Sequence, residues 1–220
     1  MKKILICCNN NFFKKKLKKN NYFFITKKNN LTLKYLNKVN PDKIFFPHWK
    51  YKIEKKIFNN FTCIGFHSSP LPYGRGGSPI QNMIIRDFNE TEVCAYKINF
   101  NFDSGPVYIK KKVKLNGSGE KVFFRIYNLI IKMIKKMEIK LPKPKKQIGK
   151  VKYFKRRKPY QSNLLNVKNV KEAYNLIRML DVNFIKYPKA YVIGKKIKII
   201  FKKAKFSNDK LEAQAQILRK

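Results

Sequence analysis

The chain has 220 residues, 44% of them hydrophobic and 29% charged, with 52 Lys and Arg against 12 Asp and Glu for a net charge of +40. That length suits one domain with at most a small appendage, and the apolar share supports a real core. No apolar run approaches the roughly 18 residues of a membrane-spanning helix, so a helical membrane protein is excluded. A +40 surface would attract tRNA, other nucleic acid or anionic lipid. The basic residues, however, run from Lys2 to Lys220 without gathering in a block and are overwhelmingly Lys, in a chain also rich in Asn, Ile, Phe and Tyr. All of these have A/T-rich codons, so composition alone can generate the charge, and it does not identify a partner.

In chain order, Ile4 to Cys8 reads as a buried first strand. It resembles a signal peptide only briefly, because its apolar stretch runs straight into Asn9, Asn10 and Asn11 with no small-residue cleavage site, and a cytoplasmic protein is expected. A short helix is predicted over Phe12 to Lys19, a strand over Tyr22 to Thr26, and a helix through Leu31, Leu33, Tyr35, Leu36 and Val39. Strand Lys43 to Phe46, a helix-like stretch Lys50 to Phe58 and strand Thr62 to Phe66 follow. Strands and helices alternating at this spacing predict an α/β fold with a mostly parallel sheet and flanking helices. Such sheets bind ligands beyond the carboxyl ends of their strands, here Cys8 to Asn10, Phe46 to Trp49 and Phe66 to Ser68.

Ser69 to Pro79 reads as a loop that three glycines and three prolines keep out of regular structure. Ser78 then looks like an N-cap, with Pro79 in the first turn of a helix through Ile80, Met83, Ile84 and Asp87. Strands Glu92 to Asn99 and Pro106 to Val113 flank a turn at Asn101 to Gly105, and Ser118 can cap a long helix with apolar positions at Val122, Ile126, Leu129, Ile130, Met133 and Met137. The proline-punctuated Leu141 to Lys146 is the best linker candidate. Beyond it come a strand near Val151 to Phe154, a helix at Val170 to Leu180, strands Ala190 to Ile193 and Lys196 to Phe201, and an alternating run from Glu212 to Leu218. The expected organisation is a catalytic domain over 1–140, a linker over 141–150 and a small α+β C-terminal subdomain over 151–220 that docks on the first domain.

Cys7, Cys8, Cys63 and Cys94 lack metal-ligand spacing and sit in apolar runs, so they read as reduced core residues, and no metal is expected. Only two histidines occur, His48 and His67, and each follows a predicted strand at the ligand-binding end of the sheet. A histidine can shuttle protons at neutral pH, and a carboxylate such as Asp103 can orient it.

The run His67-Ser68-Ser69-Pro70-Leu71-Pro72-Tyr73-Gly74-Arg75-Gly76-Gly77-Ser78-Pro79-Ile80-Gln81 resembles the signature loop of the folate-dependent formyltransferases, a family of methionyl-tRNA and amino-sugar N-formyltransferases. Phe102-Asp103-Ser104-Gly105-Pro106-Val107-Tyr108 resembles its second block at a fitting separation. The likeness begins faintly at Asn40 to Ile44 and resumes in the tail at Phe154 to Pro159 and at Ile177 to Asp181 followed by Tyr187 to Ala190. The resemblance implies a Rossmann-like sheet and transfer of a formyl group from 10-formyltetrahydrofolate to a primary amine. On that footing His67 and Asp103 are the catalytic pair. Phe46, His48, Trp49, Leu71 and Pro72 are candidates to line the folate pocket, and Tyr73 and Arg75 to meet the acceptor.

One departure matters: the family usually carries Asn two residues before the histidine, and here that position is Gly65. Loss of one oxyanion donor costs on the order of 10² to 10³ in rate. Ser68, Asn82 or a loop backbone N–H are the candidate replacements. The short chain and the run His67-Ser68-Ser69 with the Tyr73 to Ser78 loop look more like the amino-sugar branch, so a nucleotide-linked amino sugar is the first expectation for the acceptor and methionyl-tRNA the second. A catalytically weak scaffold that binds RNA or another polyanion is the alternative outside enzyme chemistry.

Overall fold

The computed structural model describes residues 2–184 and 188–220. Met1 and Tyr187, the first residue of the Tyr187 to Ala190 block, therefore lie outside the described residues. Two compact units are formed, one from Met1–Arg75, Glu92–Lys111 and Ile126–Lys152, the other from Gly76–Thr91, Lys112–Arg125 and Tyr153–Lys220.

In chain order the first 75 residues supply β1 (Ile4–Cys7), α1 (Asn11–Lys16), β2 (Tyr22–Ile25), α2 (Leu33–Val39), β3 (Lys43–Phe46), α3 (Lys55–Asn60) and β4 (Cys63–His67). Every residue of β1 and β3 is buried, the pattern of central strands covered on both faces. β1 pairs in parallel with β2 and β3, and β3 in parallel with β4. Leu5, Cys7, Ile44, Phe46 and Cys63 from these strands form one core with Leu36 and Ile57 from the helices. α2 is set locally: Thr32 accepts from the Tyr35 N–H at its start, and Asn40 takes the left-handed conformation (φ 48) that ends it.

After β5 (Tyr73–Gly76) and α4 (Pro79–Ile84) come β6 (Glu90–Lys97) and β7 (Val107–Lys114). They complete a six-stranded sheet in the order β2-β1-β3-β4-β6-β7, with β6 antiparallel to β4. The long α5 (Gly119–Ile139) has its last turn held by Lys43, whose Nζ donates to the carbonyls of Met137 (2.7 Å) and Glu138 (2.9 Å). A buried ammonium on the carbonyl end of a helix is satisfied by the dipole it meets.

The second unit contains α4, β8 (Lys152–Phe154) from Tyr153 onward, α6 (Val170–Leu180) and an antiparallel sheet of β9 (Ala190–Ile193), β10 (Ile197–Ser207) and β11 (Lys210–Arg219). Asn169 caps α6 by accepting from the Glu172 N–H. The β10–β11 hairpin turns on Asn208 and Asp209, both at positive φ (47 and 55), the geometry of a two-residue turn that matches strand twist. Within this unit the tail shares its interior with earlier chain. The buried Arg178 donates to the carbonyls of Leu115 (2.6 Å) and Gly117 (3.0 Å), and Asn175 donates to Asp87 (3.1 Å).

Several local expectations are revised. The helix expected from Lys50 begins only at Lys55: Trp49 and Ile53 pack onto the core, and the Lys50 N–H donates to Asn9 Oδ1 (2.9 Å). The loop after Ser69 contains the short strand β5. Ser78 is left-handed (φ 50) and does not cap α4; its Oγ accepts from the Arg157 N–H (3.2 Å). α4 stops at Ile84, with Asp87 at φ 59. All four cysteines are free and buried, and burial pushes the thiols of Cys8 and Cys94 up to about 11 and that of Cys63 up to about 12, far from reactivity at neutral pH. Among the described residues no helix is long and apolar enough to cross a membrane.

Candidate active site

Because β1, β3 and β4 are parallel, their carboxyl ends lie along one edge and present Asn9 and Asn10, the Pro47 to Trp49 turn, and His67 with Ser68. His67 is the last residue of β4 and only 7% exposed. Its Nε2 lies 2.7 Å from the carbonyl oxygen of Gly74, which also accepts from Ser69 Oγ (3.1 Å). A carbonyl can only accept, so Nε2 carries the proton and Nδ1 is the nitrogen left for exchange. Nδ1 faces Asp103, 3.4 Å from Oδ2, and the carboxylate is itself only 13% exposed. The pair named from the sequence is thus brought together at ion-pair distance.

The backbone that delivers Asp103 is unusual. Asp103 is left-handed (φ 54), a conformation that aspartate tolerates better than most residues. Two residues later a Cβ on Gly105 would fall 1.7 Å from the carbonyl oxygen of Lys97, so only glycine lets the turn close on β6. Gln147 then locks the turn from outside. Its Nε2 donates to the carbonyls of both Asp103 and Gly105, each at 2.8 Å, while its Oε1 accepts from Arg75 Nε (3.1 Å) and Nη2 (2.7 Å). Gln147 lies in the segment expected to be a linker, which is strapped to the sheet by paired backbone bonds between Val107 and Lys145 (2.7 and 2.9 Å). Arg75 is consequently held by a neutral oxygen, which positions its guanidinium without cancelling its charge.

Tyr96 is the second residue that sequence reasoning did not reach. It is the cross-strand partner of Gly65, and its hydroxyl donates to Asp103 Oδ1 at 2.8 Å. Burial first, and then the Asp103 carboxylate, drive the phenol far above its usual range, so at neutral pH it is a donor. No local signal points to it, since Tyr96 reads as an ordinary strand tyrosine until the β4–β6 register is known.

The other residues named from the sequence are placed as follows. His48 sits at positive φ (53) after β3, with Nδ1 3.0 Å from the Tyr127 hydroxyl; burial, with Lys50 adding to it, lowers its pKa to about 4. Trp49 lies edge-on to Phe46 and Tyr51, and its Nε1 is a buried donor without a partner among the described residues. Phe46 and Leu71 are core side chains, Leu71 packing with Cys94, Val107 and Tyr96 while its carbonyl accepts from Lys110 Nζ (2.6 Å). Pro72 is buried behind a cis peptide bond, and Tyr73 and Ser68 are half-buried. Asn82 is committed within the second unit: its amide donates to the carbonyls of Gly77, Ser78 and Lys155 at 3.0 to 3.1 Å, so its N–H groups already have acceptors.

Comparison with known proteins gives a consistent result. A family model described as the methionyl-tRNA formyltransferase C-terminal domain matches residues 159–218. A methionyl-tRNA formyltransferase of Campylobacter jejuni subsp. doylei is 29% identical over 146 residues, 64% of this chain and 48% of that protein. One from Malacoplasma penetrans is 31% identical over 159 residues, 68% of this chain and 48% of that protein. The chain thus spans about half the length of the curated relatives it matches. Among solved structures, the methionyl-tRNA formyltransferase from Clostridium thermocellum superposes with a TM-score of 0.87 at 36% identity, covering 100% of both chains. A 4-N formyltransferase from Francisella tularensis shares the fold at a TM-score of 0.66 and 19% identity, covering 88% of this chain and 93% of that one. On the strength of the whole-length match, the chain belongs to the folate-dependent formyltransferase family that includes the methionyl-tRNA formyltransferases.

Proposed function

We propose that this protein transfers the formyl group of 10-formyltetrahydrofolate to the α-amine of methionyl-tRNA. The observation that carries the reading is the His67–Asp103 pair, Nδ1 to Oδ2 3.4 Å, at the ligand-binding edge of a mostly parallel sheet.

The folate is the co-substrate that supplies the formyl carbon. The amine nitrogen attacks that carbon, the new C–N bond forms as charge moves onto the formyl oxygen, and collapse breaks the bond to the folate nitrogen. The amine must lose a proton and the departing nitrogen must gain one. His67 Nδ1, with Nε2–H fixed on the Gly74 carbonyl, is the group that can carry that proton, and Asp103 beside it stabilises the imidazolium formed on the way. A positioned acid–base group contributes about 10² to 10⁴ in rate. Trp49 Nε1, buried and without an acceptor among the described residues, is suited to bind an acceptor atom of the pterin, with Phe46 packed edge-on against its ring and His48 bonded to Tyr127 in the same turn.

For the acceptor, an amino sugar was the first expectation from the loop sequence, but the weight now lies with methionyl-tRNA. Support comes from the relative at 36% identity over its whole length and from the C-terminal-domain match at 159–218, whereas the 4-N formyltransferase at 19% shares the fold alone. A lysine-rich β9–β11 sheet, with Lys195, Lys196, Lys198, Lys202 and Lys205 all near its central hairpin strand, suits a polyanionic acceptor. Arg75, held by neutral Gln147, is free to meet a phosphate or carbonyl of the acceptor. We place the reaction in the cytoplasm, where four buried cysteines stay as thiols.

The test is formylation of charged initiator tRNA with 10-formyltetrahydrofolate, read as formyl-methionine released from the tRNA. The reading predicts turnover with methionyl-tRNA. Turnover only with nucleotide-linked amino sugars overturns the acceptor, and no turnover with any amine, alongside tight salt-sensitive RNA binding, overturns the enzyme.

A further inference from the structure

We infer that Tyr96 is a positioning residue of this site and that Gly65 is the residue that makes room for it. The inference rests on the formyltransferase reading above for its kinetic consequences, but its geometric basis is independent of that reading.

Gly65 and Tyr96 face one another across the antiparallel β4–β6 pair. A Cβ built on Gly65 would lie 2.6 Å from Tyr96 Cζ, 2.8 Å from Cε1 and 2.8 Å from the hydroxyl oxygen. Contacts that short do not occur between real side chains, and here three of them fall on a rigid ring whose far end is already bonded. The tyrosine ring therefore lies in the space that any larger residue at position 65 would claim. What the ring gains from that space is reach: it carries the hydroxyl over the glycine to Asp103 Oδ1, 2.8 Å away.

The consequence is a carboxylate held at both ends. Oδ1 accepts from Tyr96, and Oδ2 is thereby turned toward His67 Nδ1 at 3.4 Å. The backbone carbonyl of the same residue accepts from Gln147. An aspartate side chain has free rotation about its last bond, and a single donor on one oxygen removes most of it. The missing side chain at position 65 is thus not simply a lost donor. The donor comes from the neighbouring strand, and it acts on Asp103 instead of projecting from β4. Tyr96 acts through Asp103 and His67, so its removal should change the rate of the bound complex and leave substrate binding alone.

The experiment is a cycle of Tyr96→Phe, Gly65→Ala and the double variant in the full chain, with kcat and KM measured for both substrates and the Asp103 carboxyl carbon followed by 13C NMR in wild type and Tyr96→Phe. Tyr96→Phe keeps the ring and deletes only the hydroxyl. It is expected to lower kcat roughly ten- to hundredfold, the range for a hydrogen bond to a charged group, with KM within about twofold. Gly65→Ala, by displacing the ring, should cause a loss of similar size. The double variant should lose no more than the worse single, because both remove one contact. The Asp103 resonance should move in Tyr96→Phe whether or not the wild-type protein turns over methionyl-tRNA. Wild-type inactivity would therefore overturn the function and leave the NMR arm to judge Tyr96. A Tyr96→Phe variant with kcat within twofold of wild type, or an unmoved Asp103 carboxyl signal, would overturn the positioning role.

Discussion

His48 and His67 follow neighbouring parallel strands and reach the same edge of the sheet, yet their surroundings give them opposite chemistry. His48 is placed against the hydroxyl of Tyr127, itself bonded to Asn10, and burial lowers its pKa to about 4. It is a neutral acceptor in a structural network. His67 is buried, and its partners are a carbonyl on one nitrogen and a carboxylate on the other. Strand position brings a histidine to the ligand end; the partner supplied by a distant segment decides whether it can exchange protons there.

The contrast can be broken most forcefully at His67. His67→Ala is expected to lower formyl transfer by about 10² to 10⁴ while the melting temperature stays within a few degrees, as a strand-end site residue contributes little core packing. Asp103→Asn keeps the shape of the turn but removes the charge opposite Nδ1, and a loss of about 10² in kcat is expected with little change in KM. Gln147→Ala leaves the carbonyls of Asp103 and Gly105 and the guanidinium of Arg75 without their shared partner. A loss of about 1 to 3 kcal/mol in stability should accompany a smaller fall in rate, measured by urea unfolding and steady-state assay. An unchanged midpoint would mean that the segment around 147 is the passive tether its composition suggested.

The smallest effect belongs to His48. Its folded pKa of about 4 lies below the unfolded value near 6.5, so between these pH values the unfolded chain binds a proton that the folded chain refuses. Its stabilising contribution is full above about 6.5 and is lost as pH falls toward 4, by at most about 3 kcal/mol. His48→Gln should flatten that part of the stability–pH curve and leave formyl transfer within about threefold of wild type. A large catalytic loss in His48→Gln would erase the distinction between the two histidines.

Much of the fold was legible because it is written in local patterns. β3, α6 and β9 occupy the residues expected from apolar runs and caps, and alternation of strand and helix gave the parallel half of the sheet. His67 and Asp103 were legible through the loop and turn that surround them. Tyr96 was not, because its importance lies in a cross-strand register with Gly65 that no window of sequence contains. Gln147 was hidden for a related reason: side-chain bonds to carbonyls leave no periodicity, and a stretch of Pro and Lys looks like a tether whether or not it is pinned. The helix expected from Lys50 starts later, at Lys55, where Trp49 and Ile53 have turned onto the core. Local propensity loses where tertiary packing sets the path of the chain.

The most direct measurement of the central claim is single-turnover formylation of methionyl-tRNA by wild type, His48→Gln and His67→Ala side by side, with 10-formyltetrahydrofolate saturating. Formyl-methionine should form at similar rates in the first two and at least 10²-fold more slowly in His67→Ala. Equal rates in all three would contradict the account, since the proton would then be carried by a group other than the His67–Asp103 pair.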